Sequence, residues 1–406
     1  LHFPVVVRYA RALGKDCVGM TGKFHTSWGD FHSLKNRVAL EFECFRMLSY
    51  GCACSIGDQM EPRGTLSPAT YRHIGGVYER IERLEPYARP SVPFVEAALV
   101  TSESPLYEQV IPNSILGAVQ MLDELAVQYS IIDSRMPLDG YRLLILPEDL
   151  TVDADFAARL DAYIAHGGAV LACGKAALHE GRYPDCFGAM CKGDQPLYPD
   201  FLVPEGVLTD GLDRDGRYVM YMQGTQIAPT TGQPVLNAVS PYFTREGDHF
   251  CSHQYAPLDP QSPAYPVAVQ NGSCILFGHP LFSQYRQNAP SWCRLLVKNA
   301  IHTLIGDTAV RHNGPSTLLV SVLEQPDEHR YCVHLLHYIP IRKTATIDVI
   351  EEPTPIDNLQ FTLSLPNASD KAEVVSGNAD ILVTDGRITI KHMPDYVVLT
   401  IPKSKE

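Results

Sequence analysis

The sequence predicts an α/β protein in three successive stretches: parallel βα units first, a doubly wound α/β domain next, and a small antiparallel β-sandwich last. Three observations predict it. Helical and strand patterns alternate over the first ninety residues, the same alternation returns on a larger scale after a proline-rich break, and beyond Gly306 only short alternating strands remain. With 406 residues, 45% hydrophobic and 19% charged, the chain is long enough to bury a core for several domains.

In the first stretch, "VVVRYARAL" reads as a helix and "DCVGM" as a short buried strand. "RVALEFECFRMLSYG" carries Val38, Phe42, Phe45 and Leu48 at helical spacing, with Gly51 marking its end. "CACSIGD" reads as a second buried strand. The next helix has Ser67 as its cap, Pro68 in its first turn and an end near Pro86. Helix, strand, helix, strand, helix implies parallel βα units, in which loops leaving the C-terminal strand ends carry the chemistry. Two polar clusters, "GKFHTSWGDF" at 22–31 and "GDQMEPRG" at 57–64, occupy such ends.

"ARPSVP" reads as a hinge. After it, "FVEAALVTS" and "YSIIDS" are expected as strands flanking the helix "SILGAVQMLDELAVQ". "YRLLILPE", the helix "DADFAARLDAYIAHGG" and the strand "AVLAC" follow, a doubly wound arrangement of the flavodoxin or amidotransferase kind. A long, loop-rich insertion precedes the last strand, "SCILFGHPLF", and the last helix, "SWCRLLVKNAIHTLI". "TLLVSVLEQ", "RYCVHLLHYI", "ATIDVI", "DILVTDGRITIKHM" and "YVVLTIP" then build the sandwich, with turns such as "TDGR" between strands. The expected domains are 1–88, 93–306 and 307–406.

Charge and cysteines narrow the function. Lysine and arginine total 33 against 46 acidic residues, and the net charge of −13 disfavours nucleic acid and anionic membrane surfaces as partners. No apolar run reaches the roughly 20 residues that cross a bilayer, and the N-terminal apolar stretch is too short for a signal peptide, so the expected location is the cytoplasm. The 11 cysteines show no CxxC pair and read as reduced thiols. In "HFCSH", His249, Cys251 and His253 would share one face of a strand, yet incidental polar residues on a half-buried strand are the commoner case, and no metal is assigned. In "HLLH", a strand puts His334 and His337 on opposite faces. No cofactor is expected.

The segments "GMTGKFHTSWGDFHSLKN", "ALEFECFRMLSYGCACSIGDQMEPRGTLSPATYRHIG" and "HLLHY", with the order of parts and the "SES" after the first strand of the middle domain, resemble known glycoside hydrolases. The order of parts is similar to that of family 42 β-galactosidases, whose middle domain mediates trimerisation. The local match is nearer to the hypothetical glycosyl hydrolase 6 type, which is similar to the family 151 α-L-fucosidases. The resemblance implies that residues 1–88 are the C-terminal part of a (β/α)8 barrel, its last two βα units. It also implies a flavodoxin-like trimerisation domain, a carbohydrate substrate, and a homo-oligomer, trimer or dimer. A complete barrel takes about 250 residues, so the chain is expected to be a fragment of a longer protein or a member that has lost most of its barrel, with exposed strand edges unless something covers them.

Glycosidases need two carboxyl groups about the scissile bond, an aromatic platform and polar donors for hydroxyls. Asp58 and Asp30 are the catalytic candidates, with Asp58 the better placed at a strand end. Trp28 is the platform; Lys23, His25, Gln59, Glu61 and Arg63 are the substrate-binding candidates. Asp30 capping a turn, Trp28 packing, and Asp58 capping the following segment are the structural alternatives. Family 42 carries its nucleophilic glutamate at the end of strand seven, where Met20 and Thr21 stand here, so a catalytic carboxylate is expected outside this chain. An α-L-fucosidase-like activity is the expected function. The alternatives are a β-galactosidase-like activity and a non-catalytic oligomerisation or carbohydrate-binding remnant. Cys173, just after a strand in "VLACGKAAL", raises an amidotransferase nucleophile as a further alternative, against which "FGHPLF" lacks a histidine-x-glutamate pair.

Overall fold

The computed structural model describes residues 2–102, 110–376, 379–384 and 386–404. Glu103 and Ser104 of "SES", and Asp385 of "TDGR", lie outside the described residues. The fold is mixed α/β, and the chain divides into two compact units. One contains Leu1–Val5, Glu96–Leu122 and Tyr129–Thr308; the other contains Val6–Val95, Asp123–Gln128 and Ala309–Glu406.

The second unit begins with α1 (His2–Ala12, from Val6 on), β1 (Val18–Gly22), α2 (Arg37–Ser49), β2 (Ala53–Gly57) and α3 (Pro68–Leu84). Strands β1 and β2 pair in parallel, Val18 to Ala53 through Gly22 to Gly57. The Ser67 side chain caps α3 by accepting from the Thr70 N–H, and Gly51, at φ +72°, turns the chain after α2. These strands are not buried on both faces as expected: Val18 and Met20 are 68% and 64% exposed, because the described residues cover only the helix side of the pair.

The expected hinge is pinned. β3 (Val92–Pro93) is an edge strand paired with Leu323 and Glu324 of a five-stranded antiparallel sheet, a place where proline is tolerated. That sheet runs Glu373–Ser376, Tyr396–Pro402, Arg330–His337, Leu318–Gln325 and β3. A four-stranded sheet, Val310–His312, Ile356–Leu363, Arg387–Met393 and Ile381–Thr384, packs against one face through Val333, Leu335, Phe361, Ile390, Val397 and Leu399. The other face receives α2 and α3: Leu40, Phe45, Leu48, Val77 and Ile81 join Cys332, Leu336, Tyr396 and Val398 in one apolar cluster.

This double burial explains "HLLH". His334 and His337 do point to opposite faces, and both are buried because each face is covered. His334 is bonded to the Tyr396 hydroxyl at 2.6 Å and to the Tyr87 carbonyl at 3.2 Å, and burial lowers it to about 4, so it is neutral. His337 donates Nδ1–H to the Thr354 carbonyl at 2.6 Å and pairs through Nε2 with Thr317 Oγ1 at 2.8 Å. Both histidines are satisfied structural groups.

The first unit is built on a nine-stranded sheet. Five parallel strands, β4 (Ala97–Thr101), β5 (Tyr129–Asp133), β6 (Leu143–Leu146), β7 (Ala169–Cys173) and Cys274–Phe277, lie in the spatial order β5, β4, β6, β7, Cys274–Phe277. That is the 2-1-3-4-5 order of a doubly wound sheet. The stretch expected to be loop-rich continues the sheet instead, with Tyr265–Asn271, Gln233–Val239, Asp200–Val203 and Tyr218–Met220 added antiparallel. Residues 249–253 lie in no strand, so His249, Cys251 and His253 do not share one. Among the described residues, no helix is long and apolar enough to cross a membrane, and no three His, Cys, Asp or Glu residues are placed to hold a metal ion. All eleven cysteines are free.

Just after β6, Glu148 is buried, with one carboxylate oxygen accepting from the Ser283 N–H and the other without a hydrogen bond. Burial pushes its carboxyl up from 4.5 to about 7. Between those values the folded chain holds a proton that the unfolded chain releases, so stability is greatest below pH 4.5 for this group and falls as pH rises to about 7. The expected loss is on the order of 3 kcal/mol. Urea unfolding of this unit across that window should show the slope, and Glu148→Gln should flatten it; an unchanged slope in Glu148→Gln would assign the pH dependence elsewhere.

Candidate functional site

The candidate site stands at the C-terminal ends of β1 and β2. The ladder continues one residue past the strands, where the Lys23 N–H donates to the Gly57 carbonyl at 3.0 Å. The loop that follows returns when the Lys35 N–H donates to the Lys23 carbonyl at 2.6 Å. Within this clasp Phe24 is buried, while Trp28 is 68% exposed.

Glycine makes the seat for Trp28. Gly22 and Gly57 are register partners, and the indole lies across both. A Cβ on Gly57 would stand 2.5 Å from Trp28 Cη2, and one on Gly22 would meet Trp28 Cζ3 at 3.0 Å. Phe24 meets the indole edge-on at 5.3 Å between centroids. Trp28 is therefore held on one side and open on the other.

Lys23 is only 2% exposed. Its ammonium lies 4.7 Å from the centre of the Phe24 ring, donates to the Asp30 carbonyl at 3.2 Å, and stands 3.6 Å from Asp58 Oδ1. Asp58 directly follows β2 and is partly open to solvent; its Oδ1 also accepts from the Gln59 N–H at 2.7 Å. Asp30 is used differently. Its Oδ2 accepts from Thr26 Oγ1 at 3.1 Å and from the Ser27 N–H at 3.3 Å, which closes its own turn.

The remaining sequence candidates line the loops. Gln59 is exposed and close to Gly29; a Cβ there would lie 3.5 Å from Gln59 Oε1. His25 is exposed, with its N–H donating to Ser33 Oγ at 2.9 Å. Glu61 lies 3.6 Å from His32 Nε2, in a turn closed by the Gly64 N–H on the Glu61 carbonyl, and Arg63 is exposed on the same turn. Contacts therefore tie Lys23, Asp30 and Asp58 together, whereas His25, Glu61 and Arg63 stand on the loop surfaces. Sequence reasoning missed Glu43, on α2, which takes the Lys35 ammonium at 2.8 and 2.9 Å and the Thr21 hydroxyl. Its only signal is its place on the helix that crosses behind β1.

The amidotransferase alternative loses its nucleophile. Cys173 is fully buried, and burial raises its thiol well above the ordinary value, the state of an inert structural cysteine.

No protein-family model matches the chain, and no curated protein sequence matches it. Solved structures do. The α-L-fucosidase isoenzyme 2 from Paenibacillus thiaminolyticus overlays with a TM-score of 0.90 at 30% identity, over 100% of this chain and 63% of that one. The β-galactosidase from Bacillus circulans sp. alkalophilus overlays with a TM-score of 0.66 at 13% identity, over 98% and 58%. A β-galactosidase from the haloarchaeon Halorubrum lacusprofundi gives 0.60 at 12%, over 99% and 56%. The chain thus spans less than two thirds of each of these structures. The two galactosidases share its fold, and the overlays bear out the glycoside hydrolase resemblance read from the sequence.

Gly57→Ala should unseat Trp28. In a Trp292→Phe background, which leaves Trp28 as the sole tryptophan, the substitution is expected to shift the emission and increase acrylamide quenching; unchanged fluorescence would show that the indole does not depend on this glycine.

Proposed function

We propose that the chain forms one wall of the active site of a glycoside hydrolase acting on terminal sugars, with an α-L-fucoside as the leading substrate. The overlay of the whole chain on an α-L-fucosidase, at a TM-score of 0.90 and 30% identity, carries this reading. On it, β1 and β2 with their helices are the last two βα units of a (β/α)8 barrel. Chemistry then belongs at the C-terminal strand ends, where Trp28 and Asp58 stand. The exposed face bearing Val18 and Met20 suits the inward side of such a barrel.

Asp58 is the proposed catalytic carboxylate, one of the two that glycoside hydrolysis needs. It is immobilised through Oδ1 and still reached by solvent. Asp30 shapes the loop, because its carboxylate is engaged with Thr26 and Ser27. Trp28 is the platform beneath the sugar, and Gln59, His25, Glu61 and Arg63 offer hydrogen bonds to hydroxyls. The stretch 93–306 serves assembly of a trimer or dimer, 307–406 is the supporting β-sandwich, and the eleven free thiols suit the reducing cytoplasm.

Hydrolysis of nitrophenyl α-L-fucoside and β-D-galactoside tests the activity. Asp58→Asn is expected to lower kcat by at least about 10²-fold with little change in KM. Near-normal kcat would remove Asp58 from the catalytic set.

A further inference from the structure

We infer that Lys23 is a positioning residue that holds Asp58 by one carboxylate oxygen and leaves the other, Oδ2, to the substrate, an assignment resting on the glycosidase reading above. Lys23 was expected to bind substrate directly. At 2% exposure it presents no ammonium to a ligand, and the one hydrogen bond of Nζ goes inward, to the Asp30 carbonyl at 3.2 Å.

The environment of that ammonium is unusual for a lysine. Asp58 is the one carboxylate within ion-pair distance of it among the described residues, and the remaining contacts are the Asp30 carbonyl and the Phe24 ring. Taking an ammonium out of water is unfavourable, and one partner at 3.6 Å offsets this only in part. An apolar side chain would fill the volume at less expense, so the charge is kept for what it does to Asp58.

Its effect on Asp58 is directional. Lys23 Nζ approaches Oδ1, and the Gln59 N–H donates to the same oxygen at 2.7 Å. Among the described residues no hydrogen bond reaches Oδ2, and Oδ2 is not sealed from solvent. One backbone hydrogen bond and one ion-pair contact from a buried side chain act on the same oxygen and restrain the carboxylate. Gly57, on which Trp28 rests, is the residue before Asp58, so the platform and the fixed carboxylate share one piece of backbone. Misplacing a reacting group by about 1 Å lowers rates by on the order of 10²-fold.

A double-mutant cycle on the whole protein, assayed with the nitrophenyl glycoside that the wild type hydrolyses, tests this. Lys23→Met is expected to lower kcat by on the order of 10²-fold with KM little changed. In an Asp58→Asn background the same substitution should have no further effect on kcat, and Lys23→Arg should restore part of the loss. Melting temperatures check the fold of each variant, and Lys23→Gln takes the place of Lys23→Met should the latter not fold. Additive losses in the double variant, or a lowered melting temperature with kcat intact, would show Lys23 to be structural only and leave the glycosidase reading standing. Absence of glycoside hydrolysis by the wild type would overturn that reading and this inference together.

Discussion

The constraint on which the second unit depends is the burial of its five-stranded sheet on both faces. In Arg330–His337, Tyr331, Val333 and Leu335 face the four-stranded sheet, while Cys332 and Leu336 face α2 and α3. Each strand side chain thus removes apolar surface from water, at roughly 25 cal/mol per Å². The polar positions in this interior are paired. Arg80 on α3 bridges Glu41 on α2, at 2.6 Å, and Asp395 at 2.9 Å, and the Tyr338 hydroxyl closes on the same Asp395. The sheet is therefore the floor on which the two βα units stand, and their helices cannot move without opening it.

That floor matters for the site because β1 and β2 form only a two-stranded parallel pair. A pair of this size has little stability of its own. Its rigidity comes from α2 and α3 behind it, through Cys54 and Ile56 on the strand and Phe42 and Phe45 on the helix. The strand ends then carry two in-register glycines, a tryptophan laid over them, and a buried lysine beneath the adjoining carboxylate. Each needs its neighbour. A larger residue at 22 or 57 lifts the indole, and without Asp58 the Lys23 charge is left unpaired.

Much of this was legible in the sequence, and what was not has physical causes. Helices with a clear apolar stripe and a cap, such as Pro68–Leu84 behind Ser67, follow from local chemistry. So do the strands Ala97–Thr101 and Ala169–Cys173, which read as continuous apolar runs because they are buried on both faces. The antiparallel strands inside 189–271 were not legible: they are short, broken by bulges at Pro234 and Leu236, and separated by Gly and Pro that read as loop. Val92–Pro93 looked like a hinge because proline marks breaks, and only the distant Leu323 and Glu324 make it a strand. At the candidate site, position after a strand singled out Asp58 and composition singled out Trp28. Nothing local separates Asp30 from Asp58, since the difference lies in Thr26, Ser27 and Lys23, which fold back upon them. Lys23 itself read as a ligand-binding cation because sequence does not reveal burial.

The α/β unit shows how a doubly wound sheet can keep its architecture while its own groups fill the strand ends. Ligands of such sheets bind outside the carboxyl ends of the strands, where loops leave a crevice and helix N-termini point inward. Here Glu148, just past β6, accepts from the Ser283 N–H in the first turn of the helix Leu281–Asn288, placing a carboxyl where an anionic ligand would otherwise sit. Gly174 is required beside it, for a Cβ there would lie 2.7 Å from that of Glu148. At the neighbouring strand end, His279 and Asp200 bond to each other at 2.7 Å with both side chains 2% exposed, and Tyr265 completes the group through Asp200 at 2.9 Å. Cys173 lies sealed next to Glu148, and burial, with the neighbouring carboxylate adding to it, holds the thiol in its protonated form. A nucleophile needs an accessible thiolate and a base within reach. This cysteine has neither the access nor the ionisation, so the strand end after β7 offers no thiol nucleophile.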